Sequence, residues 1–165
     1  MATEAWLRGT VPDVLPELVP AAHMLLQAAE ELSAAAQGLS STELWARPGG
    51  AASVGFHLRH IAGAADRLLT YARGEQLNDA QRVSLASEAQ PDSGSAVTTL
   101  LEAVRVAIDE SLFVLRGTTR AELFLPRAVG RAQLPTNVIG LLYHVAEHTV
   151  RHTGQVIATA RAVRA

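Results

Sequence analysis

The sequence predicts an all-α protein built as an antiparallel four-helix bundle, and three observations support this. Apolar residues, mostly small aliphatic ones, make up 48% of the chain, and charged residues make up 18%. Four segments of about 20 residues carry apolar side chains at helical spacing. Glycine, proline and capping residues separate these segments. A chain of 165 residues is long enough for one such core, so we expect a single domain over residues 1–165.

The first two helices are bounded by recognisable signals. Proline is comfortable only in a first helical turn, so the first helix begins near Pro16 or near Pro20 and runs to about residue 37. A capping-box pattern in residues 40–43 predicts one short helical turn that ends at Trp45. Ser53 then caps the second helix, which we expect to span about residues 54–73.

The second half of the chain is less regular between its two long helices. Residues 78–90 have weak helical periodicity, which predicts a short extra helix, and the third long helix spans about residues 95–115. Residues 122–135 break helical spacing twice with proline, so this segment is either a small hairpin or a loop. Thr136 is positioned to cap the last helix, which continues towards the C-terminus.

The overall composition excludes several classes of function. Fourteen basic against sixteen acidic residues, without a basic run, argue against a nucleic-acid partner. The chain has no cysteine, which excludes thiolate metal sites and a nucleophilic thiol of its own. No signal peptide is evident, and no uncharged apolar run reaches membrane-spanning length. We therefore expect a cytoplasmic protein that does not associate with membranes.

The last helix carries three of the six histidines, in the stretch HVAEHTVRHTGQV at residues 144–156. His144, His148 and His152 are four residues apart and follow one stripe of the helix. His148 and His152 share an arc with residues that we expect to be buried, whereas His144 lies at the edge of that arc. Two imidazoles at i and i+4 are close enough to bind one metal ion, as in helical zinc sites.

A third ligand has to come from another helix, and the second helix offers His57 and His60. Helical periodicity places His57 nearer the core and His60 on its border. This mildly favours His57 as the third ligand, and the choice between the two stays open. The alternative is that these histidines form ordinary hydrogen bonds without a metal. His23, alone on the first helix, is interpreted as structural or solvated. Glu147 precedes His148, so the metalloprotease pattern HExxH is absent.

Two segments together resemble the DinB/YfiT-like family of damage-inducible, metal-binding four-helix proteins. The family's hallmarks are a His-Leu/Ile-Ala on the second helix and a late His-x3-His-x-Gly-Gln. The chain has His60-Ile61-Ala62 and a second motif at residues 148–155, and the resemblance covers nearly its whole length. Position by position, it implies His60, His148 and His152 as metal ligands. His57 and His144 then become neighbours of the site, able to orient ligands or touch a substrate.

The resemblance also implies a chemistry and a cofactor. It implies a divalent metal, zinc or nickel, held by three histidines with one coordination position open. Relatives in the broader family are thiol-dependent transferases that use bacillithiol, mycothiol or glutathione. Because the chain has no cysteine, a low-molecular-weight thiol has to be supplied as a cosubstrate for an electrophile. The alternatives are a metal-dependent hydrolase and a non-catalytic metal-binding bundle of the stress response.

A second apolar line on the last helix predicts a further contact. It lies opposite the histidines and comprises Ile139, Tyr143, Ala146, Val150 and Ile157. A helix that is apolar on two faces has to bury both of them. The second face packs on another helix, on residues 122–135, or on a second subunit, and we expect a homodimer.

Overall fold

The computed structural model describes residues 3–92 and 94–165, and this part of the chain is predominantly helical. Its α-helices are α1 (Val19–Ala36), α2 (Ser41–Trp45), α3 (Val54–Ala72), α4 (Asp79–Ser87), α5 (Val97–Gly117) and α6 (Val138–Arg164). Between α5 and α6 lies an antiparallel hairpin of β1 (Pro126–Val129) and β2 (Leu134–Asn137). The helical class is therefore confirmed, with a small sheet added to it. The segment at residues 122–135 forms most of this hairpin, which extends to Asn137, rather than only a loop.

The four long helices pack around a common apolar core. α6 packs along both α1 and α3, and α5 contacts the same two helices from the other side. The largest side chains that are almost completely buried are aliphatic and come from all four helices and their connections; they include Leu25, Leu32, Leu58, Ile61, Leu69, Val104, Leu115 and Leu142. The many alanines of α1 and α3 allow these two helices to approach α5 and α6 closely.

The observed helix ends mostly follow the capping signals. A short 3-10 turn begins at Pro16 and leads into α1, which starts at Val19 and has Pro20 in its first turn. The Ser53 hydroxyl accepts from the amide of Phe56 at the start of α3, as expected. The prediction that Thr136 caps the last helix is wrong. Thr136 belongs to β2, and Asn137 caps α6 by accepting from the amide of Gly140.

Trp45 connects α2 to the start of α3 and to the segment that follows α4. Its indole ring lies against Gly55 of α3, where a Cβ atom would come within 2.7 Å of the ring. Its Nε1 donates to the carbonyl oxygen of Asp92, 2.9 Å away, and the Arg59 guanidinium stacks over the ring. The start of α3 is thereby fixed to the segment that follows α4.

Most of the second apolar line of α6 is covered within the chain itself. Ala146 is fully buried, Ile139 and Tyr143 pack against the core, and the Tyr143 hydroxyl donates to the carbonyl oxygen of Glu17. Val150 is the large exposed member of the line. The homodimer stays a prediction. None of the helices in the described residues has the length and apolar character needed to cross a bilayer.

Candidate metal centre

The contact between α3 and α6 brings three imidazoles together at the edge of the core. The apolar residues Leu58 and Ile61 of α3, and Val145 and Val156 of α6, are buried at this contact. His60, His148 and His152 lie on the same arcs but closer to the surface, and all three are half-buried. The spacing of four residues on α6 puts the His148 and His152 ring centroids 4.6 Å apart.

The nitrogen atoms of this group converge on one small volume. His60 Nε2 and His148 Nε2 are 2.9 Å apart, and the His60 and His152 ring centroids are separated by 4.5 Å. One nitrogen from each ring lies within 4.8 Å of the other two. Within residues 3–92 and 94–165, no other group of three or more histidines or carboxylates meets this criterion.

The residues present fit a divalent cation. Zinc–nitrogen bonds of about 2.0–2.1 Å place tetrahedral ligand nitrogens roughly 3.4 Å apart. The nitrogens of His60 and His148 are 2.9 Å apart, and all three ligand nitrogens lie within 4.8 Å of one another, so small shifts would suffice to hold a zinc ion. The Nδ1 atom of His148 is buried and has no hydrogen-bond partner in the structure. The hydrogen bonds of the protein thus leave the His148 ring only partly satisfied, and three convergent imidazole nitrogens are a donor set that zinc and similar cations accept.

Electrostatics keeps the two α6 imidazoles neutral. Burial, together with the neighbouring His60 imidazole, lowers the pKa of both His148 and His152 from the ordinary 6.5 to about 4. At neutral pH both rings therefore keep a free lone pair, which is the form that binds a metal. The side chain of His60 is 21% exposed, so solvent reaches this member of the group.

The two further histidines expected near the site have different surroundings. His57 is buried, as helical periodicity predicted, and its Nδ1 lies 2.9 Å from Nδ1 of His152. It is outside the group of three converging nitrogens. Burial, reinforced by His60, lowers the pKa of His57. His144 is exposed and its Nδ1 binds the Glu147 carboxylate, although its ring is 5.3 Å from that of His148.

His23 lies away from this group. Its Nε2 is 2.8 Å from the carbonyl oxygen of Gly9, which agrees with the structural interpretation. Phe56, one turn before His60 on α3, stacks on the His60 ring with a centroid distance of 5.4 Å and an angle of 12° between the planes. This contact restricts the orientation of the imidazole that α3 contributes.

Sequence reasoning missed one residue that contacts the group directly. Glu88 follows the last residue of α4, and its Oε2 lies 2.7 Å from Nδ1 of His60. Its side chain is 5% exposed, and its other oxygen accepts from Arg67 of α3. The sequence signal nearest to this contact is the polar capping pattern that begins α4 at Asn78. That pattern predicts a helix but does not indicate where its C-terminal end packs.

Comparison with known protein families gives one match that spans the histidine group. The chain matches the family model of the DinB superfamily over residues 24–156. This span begins in α1 and ends in α6, so it contains His60, His148 and His152. No curated protein matches the chain significantly. Because the family model covers most of the sequence, the chain belongs to the DinB superfamily.

Proposed function

We propose that this protein is a metal-dependent transferase that joins a low-molecular-weight thiol to an electrophile. His60, His148 and His152 are the ligands of a divalent metal, zinc or nickel, and the four long helices form the antiparallel bundle that holds them. The observation that carries the proposal is the convergence of three imidazoles that are half-buried and keep some exposure to solvent. Three neutral ligands leave the full charge of the cation available for a further ligand.

The chemistry of the chain favours a thiol over water as that further ligand. A divalent cation held by His60, His148 and His152 would supply Lewis acidity, which favours the ionised form of a thiol or of water. An ordinary thiol has a pKa near 8.5, whereas water has one near 15.7, so a thiol needs far less assistance to ionise at neutral pH. The carboxylate nearest to His60, Glu88, already accepts from two partners, which leaves it poorly suited to act as a general base for water.

The side chains around the ligands have separate tasks in this proposal. The lowered pKa values of His148 and His152 keep both imidazoles ready to bind metal at neutral pH. If the other nitrogen of His152 binds the metal, its Nδ1 carries the proton, and Nδ1 of His57, 2.9 Å away, is placed to accept it and to orient that ring. Phe56 borders His60, and an apolar surface there suits an electrophile with a hydrophobic group.

The same site also permits two other functions. A metal-dependent hydrolase would use water at the open position, and a non-catalytic metal-binding bundle of the stress response would use no substrate at all. The described residues close to the histidines include no free carboxylate to activate water, because Glu88 and Glu147 are both engaged in ion pairs. This observation favours the thiol transferase.

The first test is the metal content of the protein purified without a histidine tag. Wild type incubated with zinc or nickel should retain one equivalent after removal of free metal, and His148→Ala should retain much less. His23→Ala, which changes a histidine distant from the site, is the matched control and should behave as wild type does. A wild type that retains no metal would contradict the proposed site.

The second test addresses the reaction. Metal-loaded protein is assayed with bacillithiol, mycothiol and glutathione against a panel of electrophiles, alongside His148→Ala. We expect conjugation with at least one thiol and its loss in the variant. Metal-dependent hydrolysis of esters or amides without any thiol would favour the hydrolase. Tight metal binding without either reaction would favour the non-catalytic bundle.

A further inference from the structure

The short helix α4 is attached to α3 at both ends by polar contacts. Near its first turn, Gln81 donates to Asp66 and to Thr70 of α3. At its other end Glu88 reaches His60 and Arg67 of α3. The large apolar side chains of α4, Val83 and Leu85, are exposed, so apolar burial contributes little to this contact. The position of α4 is therefore determined mainly by the groups that it hydrogen-bonds.

We propose that Glu88 is a positioning residue that orients His60 for metal binding. A carboxylate only accepts hydrogen bonds, so the contact of 2.7 Å with His60 requires the proton of the neutral ring to be on Nδ1. The lone pair is then on Nε2, the atom that lies 2.9 Å from Nε2 of His148. Carboxylates that accept from a metal-binding imidazole also make that ligand more basic. This inference rests on the metal site proposed above.

Arg67 holds the Glu88 carboxylate in place. Its Nη1 donates to Oε1 of Glu88 over 2.7 Å, while Oε2 accepts from His60, so each carboxylate oxygen has a fixed partner. Both side chains of the ion pair are less than 10% exposed, and a charge-assisted bond at such a site is shielded from water. The carboxylate therefore has little freedom to turn away from His60.

Gly63 provides the space that this arrangement needs. His60, Gly63 and Arg67 follow one face of α3 at spacings of three and four residues. A Cβ atom at position 63 would come within 2.5 Å of Oε1 of Glu88 and 2.7 Å of Nη1 of Arg67. Glycine inside a helix costs about 1 kcal/mol relative to alanine, so its presence here is consistent with a requirement for space. Alanine at this position would displace the ion pair while leaving both of its charges present.

The experiment compares variants that disturb the carboxylate in two different ways. The double variant Arg67→Met/Glu88→Gln removes the charge of Glu88 without leaving the Arg67 guanidinium buried and unpaired. Gly63→Ala retains both charged residues and displaces them. Asp66→Asn is the matched control, because it removes a carboxylate from the same contact between α3 and α4 but touches none of the histidines. Circular dichroism and thermal unfolding of the metal-free proteins establish that each variant folds.

Two readouts are measured on each protein. The first is the dissociation constant for Zn²⁺, obtained by competition with a chromophoric chelator. We expect the double variant to raise it about 10- to 100-fold. Gly63→Ala should raise it by a smaller factor, and Asp66→Asn should stay within about twofold of wild type. The second readout is the tautomer of His60 in the metal-free protein, from ¹⁵N chemical shifts. Wild type should have the proton on Nδ1, and the double variant should lose this preference.

The results separate the failure of this inference from the failure of the metal site. A double variant that binds Zn²⁺ within about twofold of wild type would overturn the positioning role, and so would a wild-type His60 protonated on Nε2. If wild type binds no Zn²⁺, the proposed metal site fails. The tautomer of His60 then still decides whether Glu88 orients this ring.

Discussion

The two sides of the histidine group are held in different ways. On the α3 side, His60 stacks on Phe56 and binds the Glu88 carboxylate, which is itself paired with Arg67. On the α6 side, His148 and His152 have mostly other imidazoles as neighbours, and Nδ1 of His148 has no partner. The His60 imidazole is thus oriented by a charged network, His152 has only the His57 ring as a polar partner outside the group, and His148 is held mainly by packing. The proposed site therefore combines one strongly prearranged imidazole with two that are held less firmly.

Replacing the ligands one at a time should give the largest effects and test this difference. Loss of a hydrogen bond that supports a metal ligand weakens metal binding by at most roughly 100-fold. We expect each of His60→Ala, His148→Ala and His152→Ala to weaken Zn²⁺ binding by more than this. The loss should be greatest for His60→Ala, because the Glu88 carboxylate fixes the orientation of that imidazole before metal binds. Chelator competition measures the three constants. A smaller loss for His60→Ala than for His148→Ala would contradict the asymmetry.

The two histidines of α6, His148 and His152, should also make the stability of the metal-free protein depend on pH. The pKa values of His148 and His152 are about 4 in the folded protein and near 6.5 when unfolded, so the unfolded chain binds more protons between these values. The free energy of unfolding is therefore highest above pH 6.5 and falls as the pH decreases towards 4. Because the rings are half-exposed and interact with each other, we expect a decrease of about 1–3 kcal/mol.

Urea unfolding at pH 7 and at pH 4.5 measures this decrease in wild type and in His148→Ala/His152→Ala. The double variant lacks both depressed groups, so the difference between its stabilities at the two pH values should be smaller. An equal difference in both proteins would show that the sensitivity to acid arises elsewhere in the molecule.

A third prediction concerns the two histidines beside the ligands. His57→Ala should weaken Zn²⁺ binding about tenfold, because His152 loses the group that faces its Nδ1. His144→Ala is the matched control on the exposed side and should change the affinity by about twofold or less. Equal effects of the two variants would contradict the role assigned to His57.

The smallest effect is expected at the end of α4 that is distant from the site. Gln81→Ala removes two hydrogen bonds to α3 and the capping box of α4, and we expect a loss of about 1–2 kcal/mol in the free energy of unfolding. Zn²⁺ affinity should change only slightly, because Glu88 keeps its own partners. Arg82→Ala, an exposed change in the same helix, is the control for the denaturation measurement.

The apolar pattern predicted the long helices because their stability depends on apolar burial. Leu58 and Val145, for example, are buried at the positions that helical spacing indicated. Spacing alone mildly favoured His57, which lies nearer the core than His60, because it indicates which side chains are buried and not which nitrogens converge. The family motif favoured His60, and His60 is the one whose Nε2 faces Nε2 of His148.

Other features were beyond the reach of sequence patterns. The contact of Glu88 with His60 joins residues 28 positions apart through a helix that packs by hydrogen bonds, so no apolar periodicity marks it. Thr136 was predicted as the cap of the last helix because threonine is a common capping residue. The pairing of β2 with β1 places it opposite Arg127 instead, and the cap moves to the next residue.

Trp45 provides the molecule with an internal optical probe. Its indole nitrogen binds the carbonyl oxygen of Asp92, four residues beyond Glu88, and its ring packs on Gly55 at the beginning of the helix that carries His60. The chain has one other tryptophan, Trp6, which is 63% exposed. The tryptophan fluorescence of a Trp6→Phe protein would therefore arise from Trp45 alone. A change in its emission on addition of Zn²⁺ would report movement of these segments without any attached label.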